Sequence, residues 1–342
     1  MYKSIDLFAG IGGIRIGFDN AFNDEIKTVF VSEWDKKAAE TYRANFFDGF
    51  DINGDITAIN EKDIPRHDIL LAGFPCQAFS LAGQRKGFED ARGTLFFDVA
   101  RIVKFHKPKV VFCENVKNLL NHDRGKTFKV IRRVLEDLGY KVFYKILNSR
   151  NFGVPQNRER IYIVAFRNDI TPPVFVFPEK TNDRRRIKDV LEEEEVSPKY
   201  YLSNVYLDSL VRHKKRHESK GNGFGYEIRA LDDVAGAIVC GGMGRERNLI
   251  IDRRLRNFTP VTHIKGKINT EYVRRLTPRE WARLQGFPDT FKFVVADTHL
   301  YKQFGNSVSV PVIETIAKEI KKCLECSCSL AEDNTEFNLA CM

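Results

Sequence analysis

The first half of the chain alternates short apolar runs with helical patterns. Six runs are predicted strands, several of them apolar throughout, as is typical of strands covered on both faces. They are Lys3–Phe8, Thr28–Ser32, Ile69–Ala72, Val110–Cys113, Val142–Ile146 and Arg160–Phe166. Helical periodicity marks Lys36–Asn45, Leu95–Phe105 and Lys126–Leu138. Strands that alternate with helices predict a doubly wound, mostly parallel α/β sheet that binds ligands at the carboxyl ends of its strands.

Length and composition exclude several classes of protein. The chain has 342 residues, which suggests about two domains. With 43% hydrophobic and 30% charged residues, it can build a core. No apolar run approaches the ~20 residues of a spanning helix, and Lys3, Ser4 and Asp6 interrupt any signal peptide. Seven scattered cysteines predict reduced thiols in a cytoplasmic protein.

The sequence pattern changes after Pro172-Pro173. Residues 182–276 are rich in Gly and Arg with weak periodicity, so we expect a separate irregular domain there. Helical patterning returns at Pro278–Gln285 and Val308–Cys323, which predicts a first domain of residues 1–181 plus 277–325. Residues 326–342 are predicted to be a disordered tail. The spacing C-x-x-C-x-C from Cys323 has no nearby His or second pair, which favours a dispensable tail over a zinc site.

A glycine-rich motif, residues 6–13, ends the first strand and allows the backbone to approach a ligand closely. Glu33 ends the second strand, where a carboxylate can accept hydrogen bonds from ribose hydroxyls. Trp34 offers a flat face for an adenine ring. Arg15 stands where a third glycine would complete G-x-G-x-x-G, which disfavours a dinucleotide. The motif predicts a nucleoside cofactor, with a purely structural turn as the alternative.

Chemically active residue types stand at three further strand ends. Cys76 follows the third strand on a proline-shaped loop, the position of a nucleophile. Glu114 ends the fourth strand on the same edge, and burial there would raise its pKa and let it donate a proton. Arg158 and Arg160 precede the last strand and are candidates to bind a substrate oxygen. The alternatives are a buried structural cysteine, a capping glutamate and a solvated charge cluster.

Together these motifs resemble the bacterial DNA (cytosine-5)-methyltransferases, restriction–modification type, over nearly the whole chain. The matching motifs, in the family's order, are residues 6–17, Glu33-Trp34, Gly54-Asp55-Ile56, Pro75-Cys76-Gln77, Arg92–Leu95, Glu114–Val116, Gln156–Arg160, Arg275–Asp289 and Gln303–Val308. The resemblance implies a Rossmann-like S-adenosylmethionine-dependent domain, with 182–276 as a smaller irregular target-recognition domain. It also implies that the C-terminal helix folds back against the N-terminal sheet.

The resemblance implies S-adenosylmethionine as methyl donor and double-stranded DNA as substrate. The implied cofactor-binding residues are Phe8, Gly10, Gly12, Glu33, Trp34, Asp55, Ile56, Pro75, Leu95 and Asn306. The Cys76 thiolate would add to C6 of a flipped-out cytosine, Glu114 would stabilise or protonate N3, and Arg160 would hold O2 with Arg158 in support. The base that removes the C5 proton is not identified by the sequence.

Two loops are expected to contact DNA. The polar loop 81–92 would close over the flipped base, with a merely mobile surface loop as the alternative. Gly241–Arg247 is predicted to be a recognition loop, with a phosphate-contacting or purely structural loop as the alternative. The stretch Gly221–Glu227 followed by Gly241–Asp252 is similar to recognition domains of family members that modify CCGG sites. The implied DNA-binding residues are Ser80, Gln84, Arg85, Arg92, Gly241, Gly242, Arg245 and Arg247. Of the net charge of +9, residues 196–275 carry +8, from 16 Lys/Arg and 8 Asp/Glu. We therefore expect salt-dependent DNA binding that maps to Arg212–Lys220 and Arg245–Arg256.

The resemblance implies a cytoplasmic, monomeric modification enzyme, nucleoid-associated when bound to DNA, paired functionally with a restriction nuclease that it does not contact stably. An RNA cytosine-5 methyltransferase is the alternative, disfavoured by the full variable domain. The intact Cys76, Glu114 and Arg160 argue against a DNA-binding protein that has lost catalysis. The broken glycine fingerprint argues against a nicotinamide oxidoreductase.

Overall fold

A computed structural model describes residues 1–46, 49–75, 95–170, 175–181, 183–241, 244–261 and 264–339, with backbone alone for 327–339. The chain forms two compact units. The first comprises residues 1–147, 159–180 and 312–342, and the second comprises residues 148–158 and 181–311.

The first unit is built on a six-stranded sheet with the order β2-β1-β3-β4-β7-β5. Its strands are β1 (Tyr2–Leu7), β2 (Ile26–Ser32), β3 (Ile69–Ala72), β4 (Val110–Val116), β5 (Tyr140–Asn148) and β7 (Glu159–Arg167). The pairs β1–β2, β1–β3 and β3–β4 are parallel, whereas β4 and β7 are antiparallel. All four residues of β3 are buried and apolar, as the sequence predicts for a strand covered on both faces.

The helices of this unit are α1 (Gly13–Phe22), α2 (Lys36–Asn45), α3 (Leu95–His106), α4 (Lys126–Asp137) and most of α8 (Val310–Leu339). Helix α2 begins where the Asp35 side chain accepts hydrogen bonds from the first free amides. Helix α8 lies against the N-terminal part of the unit, because Lys321 pairs with Glu25 at 2.7 Å and Asn20 donates to Glu314 at 3.1 Å. The expected return of the C-terminal helix is therefore confirmed.

The second unit contains short strands and three helices among the described residues. They are β6 (Gln156–Asn157), α5 (Asn204–Glu218), β8 (Ala235–Gly236), β9 (Ile250–Ile251), β10 (Val273–Arg274), α6 (Pro278–Leu284) and α7 (Asp297–Asn306). Ser203 caps α5, and a capping box of Thr277 and Glu280 starts α6. A completely buried arginine, Arg274, binds Asp252 and Glu280 at 2.8 and 2.7 Å.

The second unit extends beyond the predicted domain 182–276 at both ends. Gln156 donates to the carbonyl of Leu284 at 2.9 Å, and Arg158 donates to carbonyls at the end of α7, so 148–158 and 277–311 belong to one unit. Target recognition by 182–276 stays a prediction. Helix α8 runs to Leu339, so much of the expected disordered tail has a helical backbone. Among the described residues, no helix is long and apolar enough to cross a membrane.

Candidate active site

The glycine turn after β1 is held by a buried carboxylate at the end of β2. Gly10 donates its backbone N–H to Oε2 of Glu33 at 2.7 Å, and Asp35 donates to Oε1 at 2.7 Å. Gly10 and Gly12 both have positive φ, of 56° and 83°. A Cβ on Gly12 would lie 2.3 Å from the ring of Phe46, whereas one on Gly10 would meet nothing within 4 Å. The turn therefore packs against Phe46 at Gly12 and faces open space at Gly10.

Residues predicted to hold a nucleoside surround this turn. Trp34 follows Glu33 and is 76% exposed, so its ring face is available for stacking. The chain at Asn53 pairs with Val31 and Glu33, which brings Asp55 and Ile56 beside the end of β2. Ile56 is buried, and Asp55 begins a short helical turn by accepting from the amide of Thr57 at 3.0 Å.

The remaining predicted cofactor residues of this unit have different environments. Phe8 has a φ of 56° and packs partly into the sheet core, while Pro75 is exposed. Leu95 is the first residue of α3 and is partly buried. Asn306 belongs to the second unit, where its Oδ1 accepts a hydrogen bond from Sγ of Cys240 at 2.6 Å.

Asp6, the acidic residue of the glycine motif, is completely buried below the turn. Burial raises the pKa of Asp6 to about 7; nearby Arg15 opposes this rise, and the carboxylates of Asp19 and Glu33 add to it. Tyr42 donates to Oδ2 at 3.4 Å, and Oδ1 has no partner in the described part of the chain. No sequence pattern predicts a role for this side chain beyond its place in the glycine motif.

Glu114 and Arg160, predicted from two separate motifs, form an ion pair at the edge of the sheet. Because β4 and β7 are antiparallel, with Val116 opposite Arg160, the end of one strand meets the start of the other. The Nε of Arg160 lies 3.3 Å from Oε1 of Glu114, and their side chains are only 14% and 11% exposed. A nearly buried acid beside a guanidinium at a strand end can bind both a ring nitrogen and a carbonyl oxygen of a base.

Asn115, which the sequence analysis did not single out, anchors the loop that follows β3. Its Nδ2 donates to the carbonyl of Phe74 at 2.8 Å, and its Oδ1 accepts from the amide of Val116 at 2.8 Å. Phe74 is two residues before Cys76, so the contact joins the proposed nucleophile's loop to the strand that carries Glu114. The predicted site residues that lie outside the described part are Cys76, Ser80, Gln84, Arg85, Arg92 and Gly242.

Arg158 is bound within the second unit by backbone carbonyls. Its Nη1 donates to Ile238 at 2.7 Å, and its Nη2 donates to Gly305 at 3.2 Å and Ser307 at 2.5 Å. The side chain is 3% exposed. These contacts join the segment after β8 to the end of α7, which is a structural use of the guanidinium.

The described part of the predicted recognition loop is held by aromatic rings. The guanidinium of Arg245 lies 5.5 Å from the ring centre of Tyr301, and that of Arg247 lies 5.7 Å from the ring centre of Phe224. Gly241 is exposed with a φ of 86°. Among the described residues, no group of three or more His, Cys, Asp or Glu side chains is arranged to hold a metal ion.

The sheet, its glycine turn and the polar pair at its edge define a Rossmann-like methyltransferase domain. A family model described as C-5 cytosine-specific DNA methylase matches residues 2–322. The chain belongs to this family and is therefore a DNA cytosine-5 methyltransferase.

Curated relatives agree with this assignment, and a solved structure agrees with the fold. The chain is 58% identical over 323 residues to the type II methyltransferase M.HpaII of Haemophilus parainfluenzae, covering 93% of the chain and 89% of the relative. It is 47% identical to M.SsoII of Shigella sonnei, covering 95% and 81%. The S. pombe Dnmt2 methyltransferase structure matches with a TM-score of 0.70 at 20% identity over 94% of this chain and 98% of that one, which supports the fold.

Proposed function

We propose that this chain is the modification enzyme of a type II restriction–modification system, which methylates C5 of a flipped-out cytosine in a short duplex DNA site. The observation that carries the proposal is the Glu114–Arg160 pair at the sheet edge. An acid can stabilise or protonate N3 of cytosine while the guanidinium binds O2, so one pair recognises the ring and offsets charge that develops on it.

The residues around the glycine turn fit S-adenosylmethionine. The space in front of Gly10, the buried Glu33 carboxylate and the exposed Trp34 ring suit the amino-acid chain, the ribose and the adenine in turn. Asp55 and Ile56 would bind the adenine edge, and Phe8, Gly12, Pro75, Leu95 and Asn306 are assigned by the family resemblance. When bound, the cofactor supplies an electrophilic methyl group.

The protein's task is to make C5 nucleophilic. The Cys76 thiolate would add to C6, which converts the C5–C6 double bond into an enamine with electron density at C5. Glu114 supports this addition at N3, and Arg160 holds O2 in place. After C5 is methylated, a base, for which water would serve, removes the C5 proton, and the Cys76 thiolate leaves as the double bond re-forms. We assign Arg158 a supporting role, through its bonds to the backbone.

Residues 182–276 would bind the DNA. Gly241, Gly242, Arg245 and Arg247 are assigned to base reading, and Ser80, Gln84, Arg85 and Arg92 to the strand around the flipped base. The resemblance of this domain to CCGG-modifying enzymes makes CCGG the proposed site. We place the enzyme in the bacterial cytoplasm as a monomer on nucleoid DNA, with a nuclease that shares its site without stable contact.

Transfer of a labelled methyl group from S-adenosylmethionine to duplex DNA tests the proposal. Label is expected on C5 of cytosine, and Cys76→Ser should abolish transfer while cofactor binding persists. Cys326→Ser, at an exposed cysteine of α8, is the matched control and should keep full activity. Label on N4 or on adenine, or comparable turnover by Cys76→Ser, would overturn the mechanism.

The recognition site requires a second measurement. Methylation-sensitive sequencing of DNA from cells that express the chain should place the modified cytosine within CCGG. Modification at another sequence would refute that site and leave the reaction intact, whereas transfer to tRNA in preference to duplex DNA would replace the substrate class.

A further inference from the structure

A buried glutamate separates the two arginines assigned to base reading. Glu246 is 3% exposed and ends the short helical turn Gly244–Glu246. A Cβ on Gly244 would lie 2.3 Å from the carbonyl oxygen of Val239, so glycine lets this turn pack against the preceding backbone. The position of the turn is therefore fixed from one side by backbone contact.

The side chain of Glu246 fixes the turn from the other side. Its Oε1 accepts hydrogen bonds from Nε and Nη2 of Arg275 at 3.0 and 2.8 Å, and from the hydroxyl of Tyr206 at 3.2 Å. The guanidinium of Arg275 also lies 5.3 Å from the ring centre of Tyr206. The backbone carbonyl of Glu246 accepts from the amide of Glu227 at 2.9 Å. The carboxylate thus joins the turn to α5 and to the segment before α6, and the backbone carbonyl joins it to the chain at residue 227.

The neighbours of Glu246 differ from it in exposure and in partners. Arg245 and Arg247 are partly exposed, and no carboxylate pairs with either of them among the described residues. The guanidinium groups of Arg245 and Arg247 lie over the rings of Tyr301 and Phe224, and an aromatic face attracts the charge without pairing with the N–H donors as a carboxylate does. An arginine that binds one guanine with two hydrogen bonds must present two N–H donors at a defined position.

We propose that Glu246 is a positioning residue for sequence discrimination. By fixing the backbone between Arg245 and Arg247, it sets where two guanidinium groups meet the DNA, and it offsets the repulsion among three neighbouring arginines. The proposal rests on the proposed function, because it takes these arginines as base readers. Glu246 touches no base itself.

The test compares the ratio of kcat/KM on the cognate duplex to kcat/KM on duplexes with one altered base pair. Glu246→Gln keeps the shape and removes the charge, and Tyr206→Phe removes one hydrogen bond with little risk to folding. Glu246→Gln is expected to lower the ratio at least about tenfold, mainly through KM for the cognate DNA, and Tyr206→Phe by a smaller factor. Binding of S-adenosylmethionine should be unchanged in both variants.

Asp252→Asn is the matched control. Asp252 is buried to a similar degree and pairs with Arg274, the residue beside Arg275. Its loss should lower the unfolding midpoint and leave the discrimination ratio at the wild-type value. Equal loss of discrimination in Asp252→Asn would reduce the effect to general destabilisation and overturn the proposal.

Different results would contradict the proposed function and the positioning role of Glu246. If the wild-type chain methylates all duplexes equally, the proposed function itself is wrong. If the wild-type chain discriminates, and Glu246→Gln and Tyr206→Phe discriminate as well as it does, only the positioning role of Glu246 is wrong.

Discussion

Replacing Arg158 by methionine separates a structural role from a catalytic one. The guanidinium donates to the carbonyls of Ile238, Gly305 and Ser307 from a site that is 3% exposed. Methionine fills much of the same volume and donates nothing. The carbonyl oxygens of Ile238 and Gly305 would then lose this partner, whereas that of Ser307 keeps a hydrogen bond from Nε2 of Gln285 at 3.3 Å.

The size of the effect follows from these two carbonyls. A buried polar group left without its partner costs about 1–3 kcal/mol, so the lower limit for the two carbonyls is about 2 kcal/mol. That is a sizeable part of the 5–15 kcal/mol by which a domain is typically stable. With a urea dependence of about 2–3 kcal/mol per molar, the unfolding midpoint should fall by at least about 0.7 M.

Urea unfolding followed by circular dichroism measures the stability, and kcat is measured at a temperature where the variant is folded. Arg158→Met should show the midpoint shift with kcat reduced less than about tenfold. Arg160→Lys is the contrasting variant, because it keeps a cation beside Glu114 but loses the planar fork. Its midpoint should stay near wild type while kcat falls about 100-fold. An unshifted midpoint with a large loss of kcat in Arg158→Met would show that Arg158 acts on the substrate.

Three further predictions concern the cofactor pocket and the DNA-binding surface. Trp34→Ala should weaken S-adenosylmethionine binding at least about tenfold by calorimetry without changing the melting temperature, and Phe105→Ala, at another exposed ring, should leave binding unchanged. Burial raises the pKa of Asp6 to about 7, so the folded state keeps the proton of this carboxyl up to about that pH, whereas the unfolded state loses it near pH 4. Wild-type stability should therefore fall as the pH rises from about 4 to about 7, by on the order of 4 kcal/mol from this group. Asp6→Asn should lack that decline, and parallel pH profiles of the two unfolding free energies would contradict the assignment. Charge reversal of Lys215 and Arg216 together should reduce the slope of log K for DNA against log salt by about 2, measured by fluorescence anisotropy.

The sheet could be predicted because its central strands carry apolar runs, which in β3 extend over the whole strand. Burial on both faces leaves a signal that single-sequence reasoning detects, and β3 and β4 lie where the sequence predicts them. Helix α5 was missed because only Leu207 and Leu210 of its fifteen residues are buried, so its hydrophobic periodicity is weak. A helix whose surface is mostly polar and that buries few residues resembles an irregular segment in sequence.

The candidate site also contains residues that the sequence predicts and residues that it does not. Glu114 and Arg160 were predictable because strand ends on one edge of a sheet converge, whatever the intervening sequence. Asn115 follows Glu114 directly, yet its contact with Phe74 spans 41 residues and depends on the register of β3 and β4. Glu246 and its partner Arg275 are 29 residues apart in a segment with only two short strands of two residues each. Such pairs depend on tertiary packing, which no local pattern encodes.

Net charge gives the sign of a binding surface but not the residues that form it. Of the arginines at 196–275, Arg274 and Arg254 are engaged by Asp252, and Arg275 by Glu246. These charges stabilise the second unit and are not available to phosphates without loss of a buried ion pair.

The cations on and just after helix α5 differ from these arginines in their exposure and pairing. Arg212, Lys215, Arg216 and Lys220, on or just after this helix, are exposed, and no ion pair joins them to a carboxylate in the part of the chain that the structure describes. We therefore expect the first of the two predicted groups, Arg212–Lys220, to contribute to the salt dependence, whereas in the second group, Arg245–Arg256, Arg254 should contribute little because Asp252 binds it. Arg254→Gln provides the comparison: it should lower the unfolding midpoint and leave the salt slope unchanged, because its guanidinium is already bound to Asp252 at 2.7 Å.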